Sequence, residues 1–260
     1  MKRAYIDIPE GQVHYRTDGS GEPLLLLHQT PMSSDEYSKI IPVLAQHYRV
    51  IAMDTLGYGE SDRPSRFFTV PDYALSVISF LNAMGINKVN IAGHHTGAMI
   101  ATELAAKFPK RVLKLILSGC PCFKPEDAPV WMSKYPPIEI KADGSHLMEV
   151  WKKAMERFPE TSLELAQAYT LDFLKSGLGA KTESGHRAVF TYNAANILPL
   201  IKSPTLLIMG DKDMAYPFLN TVRSLIPHNK VKIIKGGTAS ILRLMPGDWT
   251  QAAIDFLMGD

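Results

Sequence analysis

Two adjacent histidines between two glycines are the residues of this chain best suited to chemistry, in the run Gly93-His94-His95-Thr96-Gly97. Residues 88–92 before this run predict a short strand, and the apolar positions of residues 98–106 predict a helix after it. The two glycines permit a strained strand-to-helix turn that pushes the middle side chain, His95, out above a sheet. A neutral imidazole in that place can attack a carbonyl carbon, or take a proton from water or from a substrate C–H or O–H bond.

The remaining histidines and the cysteines do not form a metal-binding pattern. His94 and His95 are adjacent in a strained turn, and Cys120-Pro121-Cys122 has no matching second pair. His94 precedes the displayed position, so we expect its side chain to point back into the packing between strand and helix. The two cysteines are poorly spaced for a disulfide with each other, which favours a reducing cytoplasm. We therefore predict no metal and no cofactor.

Strands and helices alternate along the chain, which predicts an α/β fold: a mostly parallel eight-stranded sheet with helices on both faces. The wholly apolar run from Pro23 to Leu27 is typical of a central, buried strand. The predicted strands are 4–8, 12–17, 23–28, 49–54, 88–92, 113–118, 203–210 and 230–234. The predicted core helices are 35–47, with Ser34 or Asp35 as its cap, 71–84, 98–106, 216–226 and 247–256.

The pattern changes between Pro121 and Leu200 to proline-rich coil followed by amphipathic helices at about 146–158, 162–174 and 184–196. We interpret residues 121–200 as a lid subdomain inserted into a core formed by residues 1–120 and 201–260. Its apolar residues, Trp131 and Trp151 among them, indicate an apolar cavity beneath it. A purely structural insertion that covers apolar surface is the alternative.

Three motifs together resemble the α/β-hydrolase superfamily, and the resemblance extends over essentially the whole chain. The Gly93–Gly97 turn is similar to the nucleophile elbow of that superfamily. Asp54-x-x-Gly57-x-Gly59-x-Ser61-Asp62 follows the fourth strand, and His28-Gln29-Thr30-Pro31 stands where members commonly have His-Gly-x-Pro. The layout is most similar to that of epoxide hydrolases, haloalkane dehalogenases and cofactor-free dioxygenases.

The resemblance implies a catalytic triad, of which two members differ in this chain. His95 replaces the serine, cysteine or aspartate nucleophile, whereas Asp213, in the Gly-x-x-Asp loop after the penultimate strand, matches the acid. Thr238, after Gly236-Gly237, stands at the position of the histidine, and no histidine follows His228. A serine-hydrolase relay therefore cannot operate. Asp213 is left either as a relic or linked through a water to His95, whose imidazole it would orient.

The resemblance also implies which groups surround His95. The backbone amides of Thr30 and Thr96 are expected to form an oxyanion hole, which contributes about 3 to 4 kcal/mol to a transition state that develops an oxyanion. Three further candidates around the pocket are His28, which is expected to hydrogen-bond the surrounding loops, Cys120 at the pocket mouth and His186 on a lid helix.

Composition and charge exclude several classes of partner. The chain has 260 residues and a formal net charge of +2 without a basic block, so neither nucleic acid nor an anionic membrane surface is indicated. No apolar stretch approaches membrane-spanning length, and residues 1–7 alternate in polarity like a first strand rather than a signal peptide. The predicted partner is a small-molecule substrate, and a homo-oligomer is left open.

We predict an enzyme that acts on a small organic substrate with a carbonyl group, by hydrolysis of an ester or similar bond with His95 and Asp213 as the catalytic residues. A cofactor-free lyase, isomerase or dioxygenase in which His95 abstracts a proton is one alternative. A ligand-binding protein without turnover, in which His95 fills a pocket, is the other.

The missing serine relay leads to a first testable prediction. Organophosphates and sulfonyl fluorides, which require an activated serine, should leave the protein unlabelled, as measured by intact-protein mass spectrometry. Stoichiometric labelling of a pocket serine would show that His95 is not the reacting residue.

Overall fold

The computed structural model describes residues 1–159, 162–176 and 183–259, and eight strands of these ranges form one sheet. The strands are β1 (Lys2–Ile8), β2 (Gly11–Asp18), β3 (Pro23–Leu27), β4 (Arg49–Met53), β5 (Val89–His94), β6 (Val112–Ser118), β7 (Thr205–Gly210) and β8 (Asn229–Ile234). Their order in the sheet is β1-β2-β4-β3-β5-β6-β7-β8. The pairs β1–β2 and β2–β4 are antiparallel, and the other pairs are parallel, as the sequence predicts.

The helices of the described residues alternate with these strands or lie in the segment between β6 and β7. They are α1 (Ile41–Leu44), α2 (Val70–Ala83), α3 (Thr96–Lys107), α4 (Ala128–Met132), α5 (Ser145–Arg157), α6 (Leu163–Lys175), α7 (Glu183–Phe190), α8 (Leu219–Leu225), α9 (Ile241–Leu244) and α10 (Pro246–Met258). Helix α2 begins with a capping box, in which Thr69 accepts from the amide of Asp72 and the Asp72 carboxylate accepts from the amide of Thr69.

The central strand β3 shows how the two layers are built. Successive side chains of a strand point to opposite faces. Leu24 and Leu26 therefore pack with α1 and α10 on one face, and Leu25 and Leu27 pack with α2 and α3 on the other. All four leucines are fully buried. Burial on both faces explains why β3 is an uninterrupted apolar run.

Two predicted helices are wrong in extent because of proline. The helix expected over residues 35–47 is a 3₁₀ turn, Ser34–Tyr37, followed by the short α1. Pro42 cannot supply an amide proton inside a helix, and it sits in the first turn of α1. The cap is Ser33, whose hydroxyl accepts from the amide of Asp35 at 3.2 Å, rather than Ser34 or Asp35. The helix expected from 216 likewise begins as a 3₁₀ turn, Tyr216–Phe218, around a proline.

The inserted segment, residues 121–200, lies between β6 and β7 and differs in part from the prediction. It adds the short α4, and its last predicted helix ends at Phe190 rather than at residue 196. Residues 177–182, within the predicted lid, lie outside the described residues. The division of the segment from the core as a lid subdomain remains a prediction.

Three inserted helices form hydrogen bonds with the loops at the carboxyl ends of the strands, two through side chains and one through a backbone amide. Ser33 donates to Asp172 of α6 at 2.7 Å. Arg157 of α5 donates to the hydroxyl of Ser240 at 2.9 Å. The amide of Gly185 in α7 donates to the hydroxyl of Tyr58 at 2.8 Å. The inserted segment is therefore held over the edge of the sheet at which parallel strands end.

No helix within the described ranges is long and apolar enough to cross a membrane.

The approach of α3 to β3 leads to a second prediction. A Cβ at Gly97 would lie 2.0 Å from the carbonyl oxygen of Leu27, so Gly97→Ala must push the helix from the strand. We expect this substitution to lower the free energy of unfolding by about 1 to 3 kcal/mol in a urea titration.

Gly247→Ala is the matched control for this substitution. Gly247 lies in α10, and a Cβ there meets no atom within 4 Å. Alanine at this position should be neutral or stabilise by about 0.4 to 1 kcal/mol, because it restricts the unfolded chain. Equal effects of the two substitutions would contradict the packing that we describe.

Candidate active site

The turn between β5 and α3 holds His95 in an unusual backbone conformation. His95 has φ 46° and ψ −106°, and it is the one non-glycine with positive φ among the described residues. A Cβ at Gly93 would lie 2.2 Å from the carbonyl oxygen of Gly97, so the turn can close only with glycine there. Such backbone strain costs about 1 to 3 kcal/mol and is concentrated at functional sites.

A third glycine makes room for the imidazole of His95. Gly119, which follows β6, has φ +58°, and its amide donates to the carbonyl of Ile208 at 2.9 Å. A Cβ at Gly119 would lie 2.6 Å from Nε2 of His95 and 3.1 Å from Oδ2 of Asp213. Only a residue without a side chain leaves space for these two groups to meet.

His95 and Asp213 are in direct contact. Nε2 of His95 lies 2.9 Å from Oδ2 of Asp213, and Oδ1 of Asp213 accepts from the amide of Ala215 at 2.8 Å. The expectation of a water between the two side chains is corrected, because the imidazole is long enough to reach the carboxylate itself. A carboxylate can only accept, so we assign the proton to Nε2 of His95 and the lone pair to Nδ1.

Asp213 is almost completely buried and remains ionised. Burial by itself would raise the pKa of Asp213, but the charge and hydrogen bond of His95 and the amide of Ala215 lower that pKa to about 2. The carboxylate is therefore an acceptor for His95 across the physiological pH range.

His94 has a structural role, as expected from its position before the displayed residue. Its Nε2 lies 3.1 Å from the carbonyl oxygen of Ala239, and its Nδ1 lies 3.0 Å from the hydroxyl of Ser118. Trp249 donates to the same hydroxyl at 3.0 Å. Burial, followed by the charge of His95, lowers the pKa of His94 to about 4. His94 is therefore a neutral, fully bonded side chain of the core.

The two threonines expected to form an oxyanion hole contact each other. The amide of Thr30 donates to Oγ1 of Thr96 at 3.3 Å. This amide is therefore already bonded, whereas the prediction had both threonine amides free to bind an oxyanion. Thr96 is the first residue of α3, and no side chain caps this helix. The amide of Thr96 has no partner within the helix, because the first four amides of a helix lack one.

His95 lies in the wall of a cavity of about 290 Å³ beneath the inserted segment. Thr30, Thr96 and His186 also line this cavity. His186 stacks on Phe190 with the ring planes 8° apart. Burial, followed by the charges of Arg157, His95 and Lys153, lowers the pKa of His186 to about 4, so this imidazole is neutral.

Three predicted site residues do not line the cavity. His28 is buried, with Nδ1 2.8 Å from the carbonyl of Gln29 and Nε2 3.0 Å from the amide of Thr55, so it supports the loops. Cys120 is 1% exposed, and burial raises the pKa of its thiol far above the ordinary value. Its predicted place at the pocket mouth is therefore corrected.

The predicted place of Thr238 in the site is also corrected, because the residue that lines the cavity is the next one in the chain. The hydroxyl of Thr238 accepts from the amide of Ser240 at 3.1 Å, and this local turn presents the next residue, Ala239, to the cavity. Among the described residues after β8, the one that lines the cavity is therefore an alanine, which has no group that could transfer a proton.

Arg157 and Gln29 are two residues of the cavity wall that the sequence patterns do not predict. Arg157, in the last turn of α5, donates to the carbonyl of Ala239 and to Oε1 of Gln29, both at 3.2 Å. Gln29 in turn donates to the buried carboxylate of Glu36. The available signals were a basic residue at the end of a predicted lid helix and a glutamine where the resembled family has glycine.

The described residues contain no group of three or more His, Cys, Asp or Glu side chains that could hold a metal ion.

Comparison with known proteins agrees with this architecture. The family model described as the alpha/beta hydrolase fold matches residues 22–242. A non-heme haloperoxidase of Rhodococcus erythropolis is 24% identical over 241 residues, which are 86% of this chain and 88% of that protein. The enol-lactonase of Burkholderia xenovorans has a similar structure, with a TM-score of 0.82 and 20% identity over 98% of this chain and 100% of that one.

A shorter match has higher identity. The soluble epoxide hydrolase of a Corynebacterium species is 40% identical over 94 residues, 36% of this chain and 33% of that protein. The chain spans about a third of the length of the first curated relatives that it matches. Together with the eight-stranded sheet, the family match shows that this chain belongs to the alpha/beta hydrolase fold family.

The buried carboxylate leads to a third prediction. A pKa of Asp213 of about 2, below the ordinary value of about 4, stabilises the fold by about 2 to 3 kcal/mol above pH 4, and this stabilisation is lost as the pH falls towards 2. Urea unfolding should therefore show that Asp213→Asn lowers the free energy of unfolding at pH 5, and that the difference from the parent shrinks on acidification.

Asp127→Asn, which removes an exposed carboxylate, is the control for this pH dependence. A constant difference between the parent and Asp213→Asn from pH 5 downwards would contradict the assigned ionisation.

Proposed function

We propose that this protein hydrolyses an ester or lactone, with His95 as the general base that activates a water molecule. The observation that carries the proposal is the 2.9 Å contact between Nε2 of His95 and Asp213. It orients the imidazole and assigns the proton to Nε2. Nδ1 then has a lone pair and no hydrogen-bond partner among the described residues, in a side chain that lines the cavity.

Base catalysis suits this atom better than nucleophilic attack. Nδ1 is bonded to the ring carbon that carries Cβ, so an acyl group on Nδ1 would crowd the backbone of a tight turn. A water molecule is small enough to lie within about 3 Å of Nδ1, and its proton is all that the imidazole must accept. The charge of Asp213 stabilises the imidazolium that forms.

Thr96 supplies the donors for the developing oxyanion in this proposal. Its amide lies at the N-terminus of the 12-residue helix α3, where the partial positive charge of the helix favours an anion. Its hydroxyl accepts from the amide of Thr30 and so keeps its own proton for donation. Thr30 acts in this arrangement by orienting the hydroxyl of Thr96.

A carbonyl substrate is also in keeping with the similarity in fold to an enol-lactonase. We also propose that the inserted segment acts as a lid over the cavity, and that the small-molecule substrate is the one required partner.

Two free cysteines, Cys120 and Cys122, support a cytoplasmic location, where thiols stay reduced. Cell fractionation with an antibody would test that location.

His95 is the subject of the fourth prediction. His95→Gln should lower kcat for ester or lactone hydrolysis by about 10² or more, because positioned acid–base groups contribute about 10² to 10⁴. The variant should remain folded, because glutamine can still donate to Asp213, but its free energy of unfolding should fall because glutamine carries no positive charge. His47→Gln, at an exposed position outside the cavity, is the matched control and should keep parental activity.

Chemical rescue separates base catalysis from a structural role. His95→Gly relieves the positive φ and opens the space of the ring, so added imidazole should restore hydrolysis in proportion to its concentration. A protein that binds ligand without turnover would show no hydrolysis of any ester or lactone in either form. Trapping of an acyl-imidazole by hydroxylamine would instead identify His95 as a nucleophile.

A further inference from the structure

Three basic side chains line the cavity that contains His95: Lys134, Lys153 and Arg157. Glu156 is the acidic side chain among the described residues of the same wall, and the nearby carboxylate of Asp213 is bonded to Nε2 of His95. Both carboxylate oxygens of Asp213 are already bonded, and Glu156 is exposed to solvent. Among the described residues, no ion pair joins an acidic side chain to any of the three cations. The cavity therefore has positive charge that the protein does not neutralise.

Arg157 is held in place by neutral groups only. It donates to the hydroxyl of Ser240, to the carbonyl of Ala239 and to the side-chain carbonyl of Gln29. Its guanidinium also lies 5.4 Å from the ring centroid of Tyr169. A half-buried guanidinium with only neutral acceptors is costly, because a charge removed from water is normally paired. A bound anion would offset this cost.

Lys153 lies four residues before Arg157 on α5, so the two side chains lie on the same face of the helix. Like charges at this spacing destabilise a helix, and here both also line the cavity. Lys134 lies in the turn after α4 and also lines the cavity, with its ammonium 4.0 Å from the ring centroid of Trp131. The arrangement has the geometry of an anion site built mainly from Arg157 and Lys153.

We propose that the substrate carries a carboxylate, which binds Arg157 and Lys153 while its ester or lactone carbonyl lies against His95. This inference rests on the proposed function and names its substrate class. Protein acceptors engage the Nε–H and Nη2–H donors of Arg157, so its Nη1–H donors remain for one carboxylate oxygen, and the ammonium of Lys153 can bind the other. A cavity of about 290 Å³ admits a small acyl compound with a single further anionic group.

The experiment compares two esters of one diacid that differ only in charge. Glutaric acid monomethyl ester has the same ester bond as dimethyl glutarate and one free carboxylate. We expect kcat/KM of the wild type to be at least 10-fold higher for the half-ester, and this preference to weaken as ionic strength rises.

Two variants and one matched control test the residues. Arg157→Gln and Lys153→Gln should each lower the ratio of kcat/KM for the half-ester over the diester by about 10-fold. Lys152→Gln removes an exposed charge next to Lys153 on the same helix and should keep the wild-type ratio. An unchanged ratio in both Arg157→Gln and Lys153→Gln would overturn the proposal, and Lys153→Gln remains informative if Arg157→Gln does not fold.

Binding without turnover distinguishes this inference from the proposed function. In the His95→Gln variant, calorimetry should detect binding of glutarate. The neutral glutaramide should bind this variant at least 10-fold more weakly than glutarate does. Adding Arg157→Gln to the variant should weaken the binding of glutarate at least 10-fold. If this pattern appears although the wild type cleaves neither ester, the carboxylate site stands and the hydrolase proposal fails. If both esters are cleaved equally and glutarate does not bind, the hydrolase proposal stands and the carboxylate site is overturned.

Discussion

The site depends on one backbone constraint, the positive φ of His95 at the end of the central strand β5. The turn closes only because Gly93 and Gly97 have no side chains, and Gly97 also lets α3 approach the end of β3. This close packing exposes the side chain of His95 and aligns the N-terminus of α3 beside it. Gly119 then leaves the space in which the imidazole meets Asp213. Burial on both faces of the sheet holds these elements in place, so the fold bears the cost of the strained turn.

A histidine at this turn changes the geometry of the whole site. The imidazole reaches the carboxylate of Asp213 directly, so one residue both faces the cavity and contacts the acid. Of the described residues after β8, Ala239 is the one in the cavity wall, and Gln29 and Arg157 also line the cavity. Their hydrogen bonds join the loop after β3, the loop after β8 and the inserted helix α5. Gln29 and Arg157, which a serine-based relay would not require, therefore complete the wall of the cavity around His95.

Patterns that depend on neighbouring residues could be predicted from the sequence, and contacts between distant residues could not. The apolar run of β3 and the alternation of strands and helices predict the sheet because burial on two faces has a direct compositional signature. The helix expected over residues 35–47 failed at Pro42, where the missing amide outweighs the apolar periodicity. The choice between Thr238 and Ala239 depends on one local turn, a difference below the precision of any periodic pattern. Arg157 meets Gln29 across 128 positions of the chain, a contact that only the folded arrangement of α5 reveals.

The inserted helices are positioned by buried charges as well as by apolar packing. Burial raises the pKa of Asp172 to about 6 in spite of the opposing charge of Arg243, which lies 3.1 Å away. Such a desolvated pair adds little net stability, but removing one partner leaves a buried charge uncompensated. We infer that it determines where α6 sits more than how stable the protein is. Arg157 does the same for α5, since its bonds to Ser240 and Ala239 tie that helix to the loop after β8. The guanidinium that positions α5 is also the charge presented to the cavity, so an anion bound there would strengthen the contact between the inserted segment and the core.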